Sequence, residues 1–177
     1  IVALNDGTSL ILGYSVRNGY DGTLYNSEIM LAKVGTQGEL LFEKYYNPNI
    51  GKGGAQANDI TVAKDGNYLI CGRSYISDGS DADHFIMKVD HDGNQLWFKS
   101  YIDKTSTYEA MNVFELQNKD IICAGFDGNL GLIFVQKSDS TGTVKWFKWV
   151  RPKFNVYYDV YRPAVVLTKD EEIVFQW

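Results

Sequence analysis

The chain repeats itself, and a repeat of this length permits few folds. Four segments align on a polar turn followed by an apolar run. They are NDGTSLILG (Asn5 to Gly13), KDGNYLICG (Lys64 to Gly72), QNKDIICAG (Gln117 to Gly125) and KDEEIVFQW (Lys169 to Trp177). Anchored on Gly13, Gly72, Gly125 and Trp177, they stand 59, 53 and 52 residues apart. A second anchor keeps step with the first. In EIMLAKVGTQGELLFEK (Glu28 to Lys44), HFIMKVDHDGNQLWFKS (His84 to Ser100) and IFVQKSDSTGTVKWFKW (Ile133 to Trp149), Gly38, Gly93 and Gly142 superpose. Phe42, Trp97 and Trp146 follow four residues on, and Lys44, Lys99 and Lys148 six residues on. Two independent anchors in step make chance similarity improbable.

Each unit reads as strands. Leu10-Ile11-Leu12, Tyr68-Leu69-Ile70 and Ile121-Ile122-Cys123 are short continuous apolar runs, the pattern of strands covered on both faces. VGTQG, VDHDG and SDSTG are hairpin turns in which glycine supplies a positive φ. LLFEK, LWFKS and KWFKW then carry an aromatic at a fixed place, read as a plug between neighbouring sheets. A further strand precedes each DG-type turn: NDITVA (Asn58 to Ala63), AMNVFEL (Ala110 to Leu116) and RPAVVLT (Arg162 to Thr168). No segment holds apolar residues at helical spacing over ten positions, which argues against a helical repeat.

Four strands in about 52 residues is close to the kelch-length propeller blade of roughly 50. The expected fold is therefore all-β: a partial β-propeller of about three and a half four-stranded blades. Residues 1–177 are read as one partial domain, with repeats near 5–63, 64–116 and 117–168 and an incomplete one at 169–177. Propellers close with about four to eight blades, and both ends fall within a blade. Further blades, or another copy or chain, are expected to complete the ring.

Composition agrees and narrows the function classes. The 12 Tyr, 9 Phe and 4 Trp suit pleated, half-buried surfaces. A net charge of −5 argues against a nucleic-acid partner, which needs a basic face to displace phosphate counterions. No stretch approaches the roughly 18 apolar residues of a membrane-spanning helix. Cys71 and Cys123 fall in different blades at neighbouring strand positions and read as small buried hydrophobes.

The pattern DGNYLICGRS followed by HFIMKVDHDGNQLWFKSY resembles the blade repeats of secreted and cell-surface bacterial propellers of Bacteroidetes-like type. Lys88, Asp90, Gly93, Asn94, Trp97 and Lys99 sit on that pattern. The third unit departs from it, with Lys119-Asp120 where DG is expected and Ser138-Asp139-Ser140-Thr141-Gly142 as its second turn. The resemblance implies a propeller fold and an extracellular or cell-surface setting, and only weakly a function.

The long connections collect on one face, opposite the short turns: Tyr14 to Ser27, Arg73 to Asp83 and Phe126 to Gly131 within blades, and Tyr45 to Ala57, Tyr101 to Glu109 and Arg151 to Tyr161 between them. Such loops on a rigid scaffold are the usual place for binding. They hold Tyr20, Tyr25, Tyr46, Tyr75, Tyr108, Tyr157 and Tyr158, which suit glycan stacking or a protein interface. The commoner role of such tyrosines is to brace loops or cover blade edges. Asp78, Asp81 and Asp83 offer oxygens to a Ca²⁺ ion, but without EF-hand spacing, so an acidic solvated loop is the commoner reading. His84 and His91 lack partners for a zinc site or a triad. No cofactor-binding motif is present. The residues lean away from catalysis and towards a secreted or cell-surface interaction module that binds a protein or glycan. A propeller enzyme acting on polysaccharide, and a structural passenger or component of a bacterial secretion machinery, are the alternatives.

Overall fold

The computed structural model describes residues 1–16, 27–47, 54–75, 82–101, 107–128, 130–151 and 164–176. Every regular element among them is a strand. The first antiparallel sheet holds β1 (Val2–Ala3), β2 (Ser9–Val16), β3 (Ser27–Val34) and β4 (Leu40–Tyr46), in that order. The second holds β5 (Ala55–Val62), β6 (Tyr68–Tyr75), β7 (Ala82–Val89) and β8 (Gln95–Tyr101). The third holds β9 (Tyr108–Glu115), β10 (Ile121–Asp127), β11 (Leu132–Ser138) and β12 (Val144–Val150). A fourth begins with β13 (Ala164–Leu167) and β14 (Ile173–Gln176). These are up-and-down blades of a partial β-propeller whose sheets do not close into a ring.

One turn recurs at the hairpins that follow β1, β3, β5, β7, β9, β11 and β13. In the first sheet Gly7 N–H donates to Leu4 O (3.0 Å) and Leu4 N–H to Thr8 O (2.8 Å), and Gly66 and Gly93 repeat the arrangement at later turns. The third turn residue is left-handed, with φ of 82° at Gly7, 80° at Gly66 and 78° at Gly93. Two blades depart from glycine at this place: Lys119 has φ 67° and Glu171 φ 62°. A left-handed side chain costs roughly 1–2 kcal/mol, partly offset by the lower entropy of its unfolded chain. Lys119→Gly is therefore expected to stabilise the chain by about 0.5–1 kcal/mol, read as a higher urea midpoint at unchanged slope.

The repeated lysines and aspartates tie these turns to their own sheets. Lys33, Lys88 and Lys137 hold equivalent places on the third strand of each blade. Their ammonium groups lie 3.6 Å from Asp6, 2.6 Å from Asp65 and 3.1 Å from Asp120. The departure from DG at Lys119-Asp120 thus keeps the ion pair, because Asp120, two positions beyond the place of Asp65, supplies the carboxylate. Lys145 and Lys137 beside Asp120 hold its carboxyl below the usual range, with Lys145 the larger influence.

The repeated aromatics join each sheet to the next. A side chain at Gly93 would meet Lys44 and Phe42 of the preceding sheet, and one at Gly142 would meet Lys99 and Trp97. Tyr46 donates its hydroxyl to Gly93 O (2.7 Å) and Tyr101 to Gly142 O (2.8 Å). β4 and β8 each therefore lay an aromatic, a lysine stem and a tyrosine over the next blade's turn. Between sheets lie three apolar clusters: Leu10, Ile29, Leu31, Ile70, Phe85 and Met87 at the first joint, Leu69, Ile86, Val113, Ile121 and Phe134 at the second, and Ile122, Ala124, Val135 and Val165 at the third. Full burial of each larger side chain contributes about 1.5–3 kcal/mol. Cys71 and Cys123 are both free, fully buried and within the second cluster, as their apolar surroundings in the sequence suggest.

Strand ends differ from the sequence reading. The repeated glycine lies within the second strand, which runs on to Val16, Tyr75 and Asp127. Inner strands likewise start earlier, at Ala55 and Tyr108. The reason is a β-bulge. The ladder skips a residue between Ala57 and Asp59 opposite Cys71-Gly72, and skips Met111 opposite Ala124-Gly125. The bulge presses a carbonyl against the glycine, which is a packing site inside the strand and not its end.

Candidate functional site

The bulges that fix the glycines also aim polar side chains across the joint between the second and third sheets. Asn58, the extra residue on β5, donates its amide to Glu109 Oε1 (3.0 Å) and Ala110 O (2.8 Å) on β9. Arg73 on β6 donates through Nε and Nη2 to Gln56 Oε1 (3.0 and 2.7 Å) and through Nη1 to Glu109 Oε2 (3.3 Å). Tyr75 donates its hydroxyl to the same Gln56 oxygen at 3.2 Å, and the Arg73 guanidinium lies 5.1 Å from its ring centroid. Strand alternation explains the assembly: Gln56 and Arg73 are direct cross-strand partners on one face, and Glu109 is the second residue of β9, the strand that this face meets.

The cluster stands where β5 and β9 begin and β6 ends, the edge from which the long connections leave. Glu109 is buried, while the Arg73 side chain keeps 29% exposure and Tyr75 is half-buried. A guanidinium, a carboxylate, an amide and a phenol thus converge on a partly accessible edge. That set can exchange hydrogen bonds with hydroxyl or amide groups of a ligand while offering an aromatic ring.

A carboxylate lies further along the same inner strands. Asp59 Oδ2 accepts from Val113 N–H at 3.0 Å, with the Asn112 amide at 3.5 Å. Burial pushes the Asp59 carboxyl up, opposed by these donors. Asp59 and Asn112 occur in the sequence as isolated inner-strand residues, and the structure brings them together across the joint.

Of the tyrosines singled out in the sequence, Tyr46 and Tyr108 are strand residues and not loop residues, and both are buried. Tyr46 spans to the next turn. Tyr108 packs on Trp149 (5.6 Å between centroids, 29° between planes) and edge-on to Phe134 and Phe147. Tyr75 alone of the described ones belongs to the polar cluster. Tyr20, Tyr25, Tyr157 and Tyr158 lie outside the described residues, as do Asp78 and Asp81. Asp83 is buried in β7. Among the described residues no three His, Cys, Asp or Glu side chains gather to hold a metal ion. His91 is exposed beside Asp92, while His84 is buried in β7. Gln56, Asn58, Arg73 and Glu109 went unmarked in the sequence reading, since each carries an ordinary polar side chain in an ordinary strand. Their one legible signal was position, beside the repeated glycine or the start of an inner strand.

Fold and site together define a propeller-class module of repeated four-stranded sheets. Among solved structures, the chain is similar to a protein of unknown function from Dyadobacter fermentans DSM 18053, with a TM-score of 0.65 and 14% sequence identity. The likeness covers 98% of this chain and 54% of that one, so this chain spans about half of its neighbour's length. At that identity the likeness is one of fold. No family model and no curated protein matches the sequence.

Proposed function

We propose that this propeller is a non-enzymatic interaction module of a secreted or cell-surface protein. It binds a glycan or protein through the face from which its long connections leave. The observation that supports this reading is the convergence of Arg73, Gln56, Glu109 and Tyr75 at that edge, part-exposed and shared by two blades. Planar amide, carboxylate and guanidinium groups beside a phenol ring match the paired hydroxyls and apolar ring face of a saccharide. The repeat pattern's resemblance to Bacteroidetes-like surface propellers agrees with an extracellular setting.

The test is a printed array of neutral and acidic oligosaccharides, followed by calorimetric titration of any hit with the chain and with Tyr75→Ala. Removing the ring is expected to weaken binding about tenfold, or about 1.4 kcal/mol. Absence of any glycan hit removes the saccharide arm, and a hit indifferent to Tyr75→Ala removes this edge as the site. A second reading, a propeller enzyme acting on polysaccharide, draws on the raised carboxyl of Asp59. New reducing ends released from a bound glycan, abolished by Asp59→Asn, would favour it.

A further inference from the structure

One blade joint is built differently from its equivalent. At the first joint, Ile29 of β3 and Met87 and Val89 of β7 belong to one buried apolar cluster. The places equivalent to these, counted from the turn glycines Gly93 and Gly142, are held at the second joint by His84 of β7 and by Gln136 and Ser138 of β11. All three are buried, with exposures of 2%, 1% and 0%. His84 Nε2 lies 2.9 Å from Gln136 Oε1, and Gln136 Nε2 donates to Ser138 Oγ at 3.0 Å. The second bond orients the Gln136 amide with its oxygen towards the imidazole. His84 must then carry its proton on Nε2, which leaves Nδ1 as a lone pair, and Nδ1 has no hydrogen-bond partner among the described residues.

The ring is packed on every side. It stacks on Tyr101 (4.9 Å, 16°) and lies against Phe134 (4.5 Å), Tyr108 (5.9 Å) and Phe147 (6.1 Å). Its direct cross-strand neighbours are Arg73 on β6 and Tyr101 on β8. On the facing sheet, β9 brings Tyr108 against the ring with Glu109 next in the strand, β10 carries Cys123 and Asp127, and β11 and β12 meet the imidazole with Phe134, Gln136 and Phe147. Glu109 is engaged by Arg73, and Asp127 Oδ1 accepts from Leu130 N–H at 3.0 Å.

We propose that the joint between the second and third sheets is an acid-labile clasp, shut while His84 is neutral and opened when His84 takes a proton. Protonation places a donor on Nδ1, which makes no hydrogen bond among the described residues, and leaves a charge among aromatic rings. Opening lets water reach the imidazolium. The first joint, with Ile29, Met87 and Val89 in these places, has nothing to titrate there and stays closed.

The direction follows from burial, which lowers the His84 pKa from its ordinary 6.5 to about 4 against the opposing Gln136 contact. A base held neutral by folding contributes stability that is complete above its ordinary pKa. That contribution is lost as the pH falls from there towards 4. Between pH 7 and pH 5 the opening equilibrium rises roughly 20-fold.

Cys71 and Cys123 report the opening, because both are fully buried in this joint and are the chain's two cysteines. Their labelling by 4,4′-dithiodipyridine is measured from pH 7 to pH 5 and normalised at each pH to the urea-unfolded chain. The normalised rate is expected to rise roughly 20-fold in the native chain. It should stay flat in His84→Ile/Gln136→Met/Ser138→Val, which transplants the first joint's residues. A flat native profile, equal slopes in both chains, or labelling no faster than global unfolding overturns the clasp. The native chain also tests the idea without any variant: nitrogen NMR should find His84 as the Nε2–H tautomer, still neutral at pH 5. Titration near the ordinary value of 6.5 overturns it.

Discussion

Gly125→Ala is expected to destabilise the chain by about 3 kcal/mol or more, while the same change at Gly13, the equivalent place in the first blade, costs under about 1 kcal/mol. A methyl at Gly125 would lie 2.0 Å from Glu109 O, 2.8 Å from Ala110 Cα and 2.8 Å from a Phe134 ring carbon. Two of these are backbone atoms of the bulged inner strand, which can yield only by breaking its ladder. Gly72 is in the same position, 2.0 Å from Gln56 O and 2.8 Å from Ala57 Cα, and Gly72→Ala should match Gly125→Ala. At Gly13 the nearest atom is the Met30 methyl at 3.2 Å, the far end of a flexible side chain. Urea unfolding of the three alanine variants checks this. Equal costs at all three positions would mean that the bulge does not set the requirement.

Phe134→Ala should cost about 3–5 kcal/mol and lower the melting temperature by about 10 °C. Phe134 is fully buried at the centre of the second joint, stacked on Phe147 (5.3 Å, 15°) and in contact with His84 and Tyr108. Its removal leaves a cavity between two sheets whose backbones are each held by a ladder, so the walls cannot collapse inwards. The effect should exceed that of Lys119→Gly several-fold and be opposite in sign. Calorimetry of the two variants beside the native chain settles both size and sign. A loss below about 1.5 kcal/mol at Phe134 would show that the sheets slide together to fill the space.

Both predictions concern joints between blades, and the joints mark the limit of what the sequence discloses. The aromatic of LLFEK, LWFKS and KWFKW was legible as an inter-sheet plug because it recurs, and Phe42 and Trp97 lie over Gly93 and Gly142 of the next blade. The lysine at the end of each third strand recurs equally, but nothing in the sequence says that its partner is the aspartate of its own blade's first turn. The polar cluster was the least legible part. Gln56 and Arg73 are ordinary cross-strand partners, and Glu109 joins them only once the second and third sheets pack together.

The sequence alone determined that this chain builds four-stranded antiparallel blades, because turn glycines and apolar runs recur at matched spacings and each hairpin is a local decision. Tyr46 and Tyr108 were read from it as loop aromatics, and the structure buries both in strands. Tertiary structure decided which groups meet between blades: the Asn58 side chain with Glu109, Asp59 with the Val113 backbone N–H, His84 with Gln136. Those partners lie 51 to 54 residues apart. Their meeting depends on the twist and register of two packed sheets, a property that neither repeat encodes by itself.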